Sequence, residues 1–296
     1  MNFYLAVSAS TAATPTDTPT GTDQHLPTNR PRRYPSDTSD TEWALIAPHI
    51  PAGAPTRRGG RRPIHPRRDI VDAIRYTCDN GTKWRALPAD FPPWKTVYHY
   101  HQKWTADGTL TALHDALRAQ VRITEGRDPD PSAAIIDSQS VRAAETVTRH
   151  SRGYDAGKNV NGRKRHIIVD TLGLLLVVAV TAANVQDRVA AHWLVTALRA
   201  CSRRLRHIWA DSAYTGTWIT RADKLGIAVQ IVAKLAGQKG FQVLHRRWVV
   251  ERTLAWITRC RRTVRDYEHR PEHHAAMVHW AMIIIMSRRL ARQQTT

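Results

Sequence analysis

The pattern of apolar positions divides the chain into a helical first part and a mixed second part. Apolar residues at helical spacing predict helices over residues 69–78, 94–104 and 109–121, and a capping pair at Ser39-Asp40 marks the first folded element. Residues 8–33 are rich in Thr, Pro, Asp and Gly and offer little to bury. We therefore expect a disordered tail over 1–33 and a small all-helical domain over 34–124.

A polar break with two prolines at 125–132 indicates a domain boundary. Beyond it the pattern predicts short strands, a hairpin and helices in alternation. The expected strands are 134–137, 207–211 and 227–232, the hairpin pairs 163–170 with 174–181, and the helices are 189–205, 217–225, one around Glu251, and 272–292. This order predicts a mixed α/β domain with a single sheet over 130–292.

Two aspartates follow apolar, strand-like runs and precede polar turns. Asp137 comes after Ala134-Ile135-Ile136, and Asp211 comes after Ile208-Trp209-Ala210. We expect both at strand ends, where ligands bind in open α/β sheets. Downstream, Arg247 and Glu251 lie four residues apart on an amphipathic helix and therefore share a face. Taken alone, such a pair is more often a solvated salt bridge, and Glu251 gains weight only beside the two aspartates upstream.

If the two predicted strands are neighbours, the carboxylates of Asp137 and Asp211 lie side by side and repel unless a cation lies between them. Mg²⁺ prefers such hard oxygen ligands, and a third carboxylate from Glu251 completes a site for two metal ions. Such a pair of ions clamps the attacking and leaving oxygens of a phosphoryl transfer. Asp170 and Asp187 are better explained as a turn residue and a helix N-cap.

The charge balance points to a polyanionic partner. Lys and Arg number 44 against 25 Asp and Glu, for a formal net charge of +19, which favours nucleic acid over the alternative of a ribosome- or membrane-surface protein. Most of the candidate DNA contacts also have a purely structural explanation. The loop can be a solvated linker, the helix can pack against the core, and the run before the strand can be a solvated face. The candidates are Arg57, Arg58, Arg61 and Arg62 in a loop, Lys95 and Lys103 on a helix, Lys158, Arg163, Lys164 and Arg165 before a strand, and Arg247 and Arg259 beside Glu251.

The cysteines and apolar runs bear on the compartment. The three cysteines, Cys78, Cys201 and Cys260, are far apart and suggest neither a disulfide framework nor a zinc pair. The longest apolar runs, 172–183 and 277–286, are shorter than a membrane span. We expect a cytoplasmic, nucleoid-associated protein with no membrane partner.

Several motifs together resemble the DDE transposases of bacterial insertion sequences, and the IS-five group most closely. The resemblance covers roughly residues 34–290. It is carried by Asp…Asp…Glu, the turn Asp211-Ser212-Ala213-Tyr214-Thr215-Gly216, Arg247-x-x-x-Glu251, Trp248-Val249-Val250-Glu251-Arg252-Thr253, the blocks 153–158 and 163–173, and Trp84-Arg85-Ala86-Leu87-Pro88.

The resemblance implies an RNase H-like catalytic domain that cuts and joins DNA at element ends. It implies Mg²⁺ as cofactor, with Mn²⁺ able to substitute, double-stranded DNA as partner, and a homo-oligomer that holds two ends. Asp137, Asp211 and Glu251 match the family's catalytic acids, and Arg247 matches its arginine. The family's Tyr and Lys positions are Leu244 and Thr258 here, with Arg259 next to the latter. Two further hypotheses are a metal-dependent nuclease that does not join strands and a DNA-binding protein that has lost catalysis.

Overall fold

One mixed sheet organises the structure, a computed structural model that describes residues 4–7, 25–52, 64–232 and 247–294. Within these ranges the sheet has seven strands, six of which run in the order β1-β5-β4-β2-β6-β7, while β3 pairs with β4. The strands are β1 (Tyr4–Val7), β2 (Ala133–Arg142), β3 (Gly153–Asp155), β4 (Val160–Asp170), β5 (Leu175–Ala182), β6 (His207–Asp211) and β7 (Ala228–Val232).

Helices pack on both faces of this sheet. Over the described ranges they are α1 (Asp40–Ile46), α2 (Arg67–Asn80), α3 (Trp94–Ala106), α4 (Thr109–Thr124), α5 (Asp187–Cys201), α6 (Trp218–Lys224), α7 (Arg247–Thr258) and α8 (Pro271–Gln294). The helices expected from apolar spacing are confirmed, with ends that shift by a few residues. No helix among the described residues combines the length and the apolar character that crossing a bilayer demands.

The strand pairing has an antiparallel half and a parallel half. β4 pairs antiparallel with β5, which confirms the expected hairpin, and antiparallel with β2 from Ala134↔Asp170 to Arg142↔Gly162. On its other side β2 runs parallel to β6, and β6 runs parallel to β7. The two strands that carry the candidate aspartates are therefore direct neighbours.

Alternation of side chains along the strands separates two cores. Ile136 of β2 and Ile168 of β4 face α5 and α6, where Leu194 and Trp218 are fully buried. Ile135 faces the other way, toward α7, α8 and the N-terminal helices. Because both faces are covered, the central strands read as continuous apolar runs.

The N-terminal helices share their core with the sheet. α8 is buried on most of its surface and lies between them and β5. Arg75 of α2 bonds Glu42 of α1 at 2.7 Å, and its guanidinium donates to Ser287 of α8 at 3.1 Å. Trp104 of α3 meets Trp280 of α8 with ring centroids 6.5 Å apart. The polar break at 125–132 therefore separates two stretches of chain but not two hydrophobic cores.

The expectation of a disordered tail over 1–33 is wrong for its described parts. Residues Tyr4–Val7 form an edge strand on β5, and residues 25–33 pack on the helices. The reason is Arg30, whose guanidinium bonds Asp37 at 2.6 Å and Asp72 at 3.4 Å and lies 4.3 Å from the ring centroid of Phe91. Residues 8–24 lie outside the described residues.

Candidate active site

The parallel pair β2 and β6 brings Asp137 and Asp211 together. Ile135 is the register partner of Trp209, so the two aspartates, each two residues further along, continue the same register. Asp211 ends β6, as expected. Asp137 does not end a strand, because pairing with β4 keeps β2 extended for ten residues, to Arg142. The expectation of a strand end at Asp137 is therefore wrong, although the two side chains still meet.

Arg247 connects the two aspartates to the third acid. Its Nη2 lies 3.5 Å from Asp211 Oδ2, 3.7 Å from Glu251 Oε1 and 3.8 Å from Asp137 Oδ2. Arg247 and Glu251 occupy the first two turns of α7, and their i, i+4 spacing puts both on the face toward the sheet edge. The structure thus gathers the three predicted acids around one guanidinium.

Asp137 is the most buried of the three acids. Burial raises the pKa of Asp137 to about 6, and the neighbouring charge of Asp211 adds to this rise. The backbone N–H of Ser138, which donates to Asp137 Oδ1 at 2.7 Å, and the charge of Arg247 oppose it. An ionised Asp137 at neutral pH therefore depends on nearby positive charge.

The carboxylate oxygens of the three acids are chemically suitable ligands for a divalent cation. Carboxylate oxygens from two strands and a helix surround one positive group, and hard oxygens are the ligands that Mg²⁺ and Mn²⁺ take. In the present side-chain arrangement that group is the guanidinium. No cluster of three or more His, Cys, Asp or Glu side chains in the described part of the chain is close enough to ligate an ion directly. Direct ligation requires the three carboxylates to close inward.

Lys158 adds a second cation beside the acids. It lies in the turn between β3 and β4, its side chain is exposed, and its Nζ is 3.5 Å from the carbonyl oxygen of Ser138. Its charge also contributes to lowering the pKa of Asp137. Of the basic run that was expected to contact DNA, Lys158 is therefore the member that is both solvent-facing and near the acids.

The remaining members of that run are internal. Arg163 is fully buried and donates to the side chains of Asp266 and Ser151 and to three backbone carbonyl oxygens. Arg165 is fully buried and donates to Gln139 and to the carbonyl oxygen of Thr263. Other segments of the chain cover the face of β4 from which both side chains project. The predicted DNA contact and its alternative, a solvated face, are therefore both wrong for Arg163 and Arg165.

Lys164 is also largely buried and belongs to a polar cluster under the acids. Its Nζ lies 3.2 Å from Asp187 Oδ1 and 3.6 Å from Asp155 Oδ2. Asp187 also accepts the hydroxyl hydrogen of Ser138 at 2.8 Å. The N-cap of α5 is Gln186, without a side-chain capping bond, so the interpretation of Asp187 as a cap is wrong. Sequence reasoning missed this contact, because no local pattern links Ser138 to a residue 49 positions later in the chain.

Asp170 behaves as the expected turn residue. Its carboxylate accepts the backbone N–H groups of Leu172 and Leu174 at 2.9 and 2.8 Å and pairs with Arg122 of α4. It is fully buried at the end of β4, where it is the register partner of Ala134, three residues before Asp137 on β2. These contacts explain Asp170 as part of the β4–β5 turn.

The other candidate DNA contacts are dispersed. Lys95 and Lys103 are exposed on α3, and because they are eight residues apart, with His99 midway, the three share one face of the helix. Arg259 is exposed just after α7. The loop residues Arg57, Arg58, Arg61 and Arg62 lie outside the described residues.

Two models of known protein families match this chain. One family model, described as "Putative transposase of IS4/5 family", matches residues 38–114, and another, described as "Transposase DDE domain", matches residues 128–286. These matches define the class as transposases, and a mixed sheet that gathers three carboxylates, in a chain of net charge +19, agrees with them. Since the second match covers more than half of the chain, the protein belongs to the insertion-sequence transposases of the DDE type.

Two curated proteins are similar to parts of this chain. A protein of Burkholderia cepacia described as "Putative transposase for insertion sequence element IS402" is 30% identical over 138 residues, which are 44% of this chain and 65% of the relative. An "Uncharacterized protein y4sN" of Sinorhizobium fredii is 28% identical over 104 residues, 35% of this chain and 74% of that protein. The chain thus spans just under two thirds of the length of the Burkholderia relative.

Proposed function

We propose that this protein binds the ends of its insertion element and catalyses metal-dependent DNA cleavage and strand transfer, with Asp137, Asp211 and Glu251 as the catalytic acids. The observation that carries the proposal is the convergence of these acids on the guanidinium of Arg247, at 3.5 to 3.8 Å. Three carboxylates from separate elements rarely approach one another unless a cation is to be held. We further propose that the sheet with its flanking helices is RNase H-like.

The three acids would hold two Mg²⁺ ions, for which Mn²⁺ can substitute. When bound, these ions supply charge neutralisation at the attacking and leaving oxygens and lower the pKa of the attacking water. With the metal ions neutralising the acids, Arg247 would be available to pair with a phosphate of the strand being cut, for which its planar guanidinium is suited. The fixed frame of β2, β6 and α7 then supplies positioning, on which phosphoryl transfer chiefly depends.

The proposed DNA path uses cations that reach the surface. Lys158 and the partly exposed Arg247 flank the acids, and Arg259 is exposed just after α7. Lys95 and Lys103 on α3 form a second basic face that suits backbone phosphates of the element end. We propose that the N-terminal helices over 34–124 recognise that end, that two copies act together on paired ends, and that the protein works in the cytoplasm on nucleoid DNA.

The test is cleavage of a duplex that spans the junction between the element's terminal repeat and its flanking DNA. Wild type and Glu251→Gln are compared in Mg²⁺, in Mn²⁺ and in EDTA. We expect metal-dependent cutting by wild type, loss of cutting but retained binding in Glu251→Gln, and joined products when target DNA is added. Cutting without joined products would favour a nuclease, and tight binding without cutting in any metal would leave a DNA-binding protein that lacks catalysis.

A further inference from the structure

Ser138 connects the candidate active site to the opposite face of the sheet. Because side chains alternate along a strand, Asp137 faces α7 while Ser138 faces α5. All three polar groups of Ser138 have partners: its N–H donates to Asp137 Oδ1 at 2.7 Å, its hydroxyl donates to Asp187 Oδ1 at 2.8 Å, and its carbonyl oxygen lies 3.5 Å from Lys158 Nζ. The residue is 7% exposed.

These bonds of Ser138 lie just beyond the point where the pairing of β2 with β6 ends. The ladder with β6 runs from Ala133 to Ile135, so the backbone at 137–138 keeps β4 on one side and turns its other edge toward the acids. Side-chain bonds must hold that edge in place of a ladder. The bond from Ser138 reaches Asp187 of α5 at 2.8 Å, and it anchors the peptide whose N–H orients Asp137.

Asp187 is itself firmly placed. It begins α5, where a negative charge is favourable at the helix N-terminus. Lys164 Nζ lies 3.2 Å away and also donates to the carbonyl oxygen of Val185 at 3.0 Å. His166 Nδ1 is 3.6 Å away. A charge-compensated carboxylate on this face of the sheet is suited to accept a hydrogen bond, whereas the metal ligands face α7.

We propose that Asp187 is a positioning residue of the transposase site, acting through the Ser138 hydroxyl to fix the orientation of the Asp137 carboxylate. This inference rests on the proposed function of Asp137. Partners that orient a metal-binding carboxylate change metal affinity and turnover by about tenfold or more when they are removed. Substrate binding, which depends on cations elsewhere, is left intact.

The experiment compares Asp187→Ala, Asp187→Asn and Ser138→Ala with Asp130→Ala as the matched control. Asp130 also accepts a serine hydroxyl hydrogen, from Ser202 just after α5, and the backbone N–H of Arg204 at 3.1 Å, but it touches neither Ser138 nor the three acids. The readouts are Mn²⁺ binding to the DNA-free protein by EPR, single-turnover cleavage in saturating Mn²⁺, affinity for the element end by fluorescence anisotropy, and the melting temperature.

We expect Asp187→Ala and Ser138→Ala each to weaken Mn²⁺ binding and slow cleavage by about tenfold, with DNA affinity within about threefold of wild type. The double variant should be no worse than either single variant, because both remove the same bond. Asp187→Asn keeps an acceptor for the Ser138 hydroxyl and should recover most of the loss. Asp130→Ala should match wild type in Mn²⁺ binding and cleavage.

Three outcomes would overturn the inference: wild-type Mn²⁺ binding and cleavage in Asp187→Ala, additive losses in the double variant, or an Asp187→Asn loss as large as that of Asp187→Ala, which would assign the effect to charge. If wild type itself neither binds Mn²⁺ nor cuts DNA, the proposed function fails first. The melting temperatures separate both cases from simple unfolding.

Discussion

Thr253 of α7 donates its hydroxyl hydrogen to the carbonyl oxygen of Gly173 at 2.7 Å, 80 residues earlier in the chain. This bond fastens the helix that carries Glu251 to the β4–β5 turn. Gly173 has a φ of +82°, and a Cβ at this position would lie 2.7 Å from Thr253 Oγ1. The placement of the third acid therefore depends on a turn that a residue with a side chain would both strain and push away from α7.

Gly173→Ala should lower the free energy of unfolding by roughly 2–4 kcal/mol, because left-handed backbone strain adds to a clash with a hydrogen-bonded neighbour. Cleavage should fall more than DNA binding, since Glu251 moves with α7. Urea denaturation and single-turnover cleavage measure the two effects. Gly126→Ala is the control, because Gly126 has a φ of +66° but a Cβ there would meet no described atom within 4 Å. Equal losses of stability and cleavage in both variants would show that the contact between Gly173 and Thr253 does not hold α7 in place.

Arg247→Gln should leave three carboxylates facing one another. We expect a loss of roughly 1 kcal/mol in the free energy of unfolding at pH 7.5 and low salt, a modest value because Glu251 is half exposed. Millimolar Mn²⁺ should restore the melting temperature, since a divalent ion supplies the missing positive charge. Arg259→Gln, which changes an exposed arginine beyond α7, serves as control. A melting temperature that does not respond to Mn²⁺ in Arg247→Gln would refute this electrostatic account.

Arg163→Met should act on stability rather than on DNA affinity. Its guanidinium is fully buried and pairs with the equally buried Asp266 at 3.0 Å. Removing it takes the arginine charge from a buried carboxylate that keeps His274 Nδ1 at 3.2 Å and the N–H of Glu268 at 2.8 Å, at a cost of about 3–5 kcal/mol. Lys158→Ala, at an exposed position, should lower DNA affinity with little change in melting temperature. Thermal denaturation and anisotropy of both variants test this contrast. A stable Arg163→Met protein with weakened DNA binding would instead support the original prediction that Arg163 contacts DNA.

The basic face of α3 should contribute through phosphate contacts. Lys95→Ala and Lys103→Ala should each reduce the slope of log affinity against log salt concentration by about 1. The affinity for non-specific duplexes should fall by a similar factor, because phosphates carry no sequence information. Lys224→Ala, an exposed lysine on α6, is the control. Unchanged salt slopes in both α3 variants would place the DNA elsewhere.

Buried histidines should make the fold sensitive to acid. Burial lowers the pKa of His279, which lies in a T-shaped contact with His114, to about 3. The unfolded chain takes up this proton near pH 6.5 and the folded chain only near pH 3. The stability from the neutral ring is therefore complete above pH 6.5 and is lost as the pH falls toward 3, by roughly 1–3 kcal/mol at pH 4.5.

His279→Gln should accordingly flatten the dependence of the unfolding free energy on pH between 6.5 and 4.5. Urea denaturation at several pH values measures this, with His150→Gln as the control because His150 is exposed. A curve for His279→Gln parallel to that of wild type would show that other groups set the acid lability.

Local patterns in the chain were enough to locate most of the elements and to select the candidate acids. Alternation and helical spacing are local properties, so the β4–β5 hairpin, β6, α7 and α8 could be located from them. The i, i+4 relation of Arg247 and Glu251 is fixed by helix geometry alone. Asp137, Asp211 and Glu251 were selected by residue type and flanking motifs, and their role in phosphoryl transfer stays a prediction.

The packing of distant segments set which side chains face solvent and which share a partner. Arg163 and Arg165 look like a surface run in sequence, but β4 is a central strand, so burial converts them into internal ion pairs and hydrogen bonds. Asp187 is distant from Asp137 in the chain and meets Ser138 only because α5 packs on β2 and β4. Burial and contact between distant residues depend on how strands are ordered in the sheet, which local spacing does not encode.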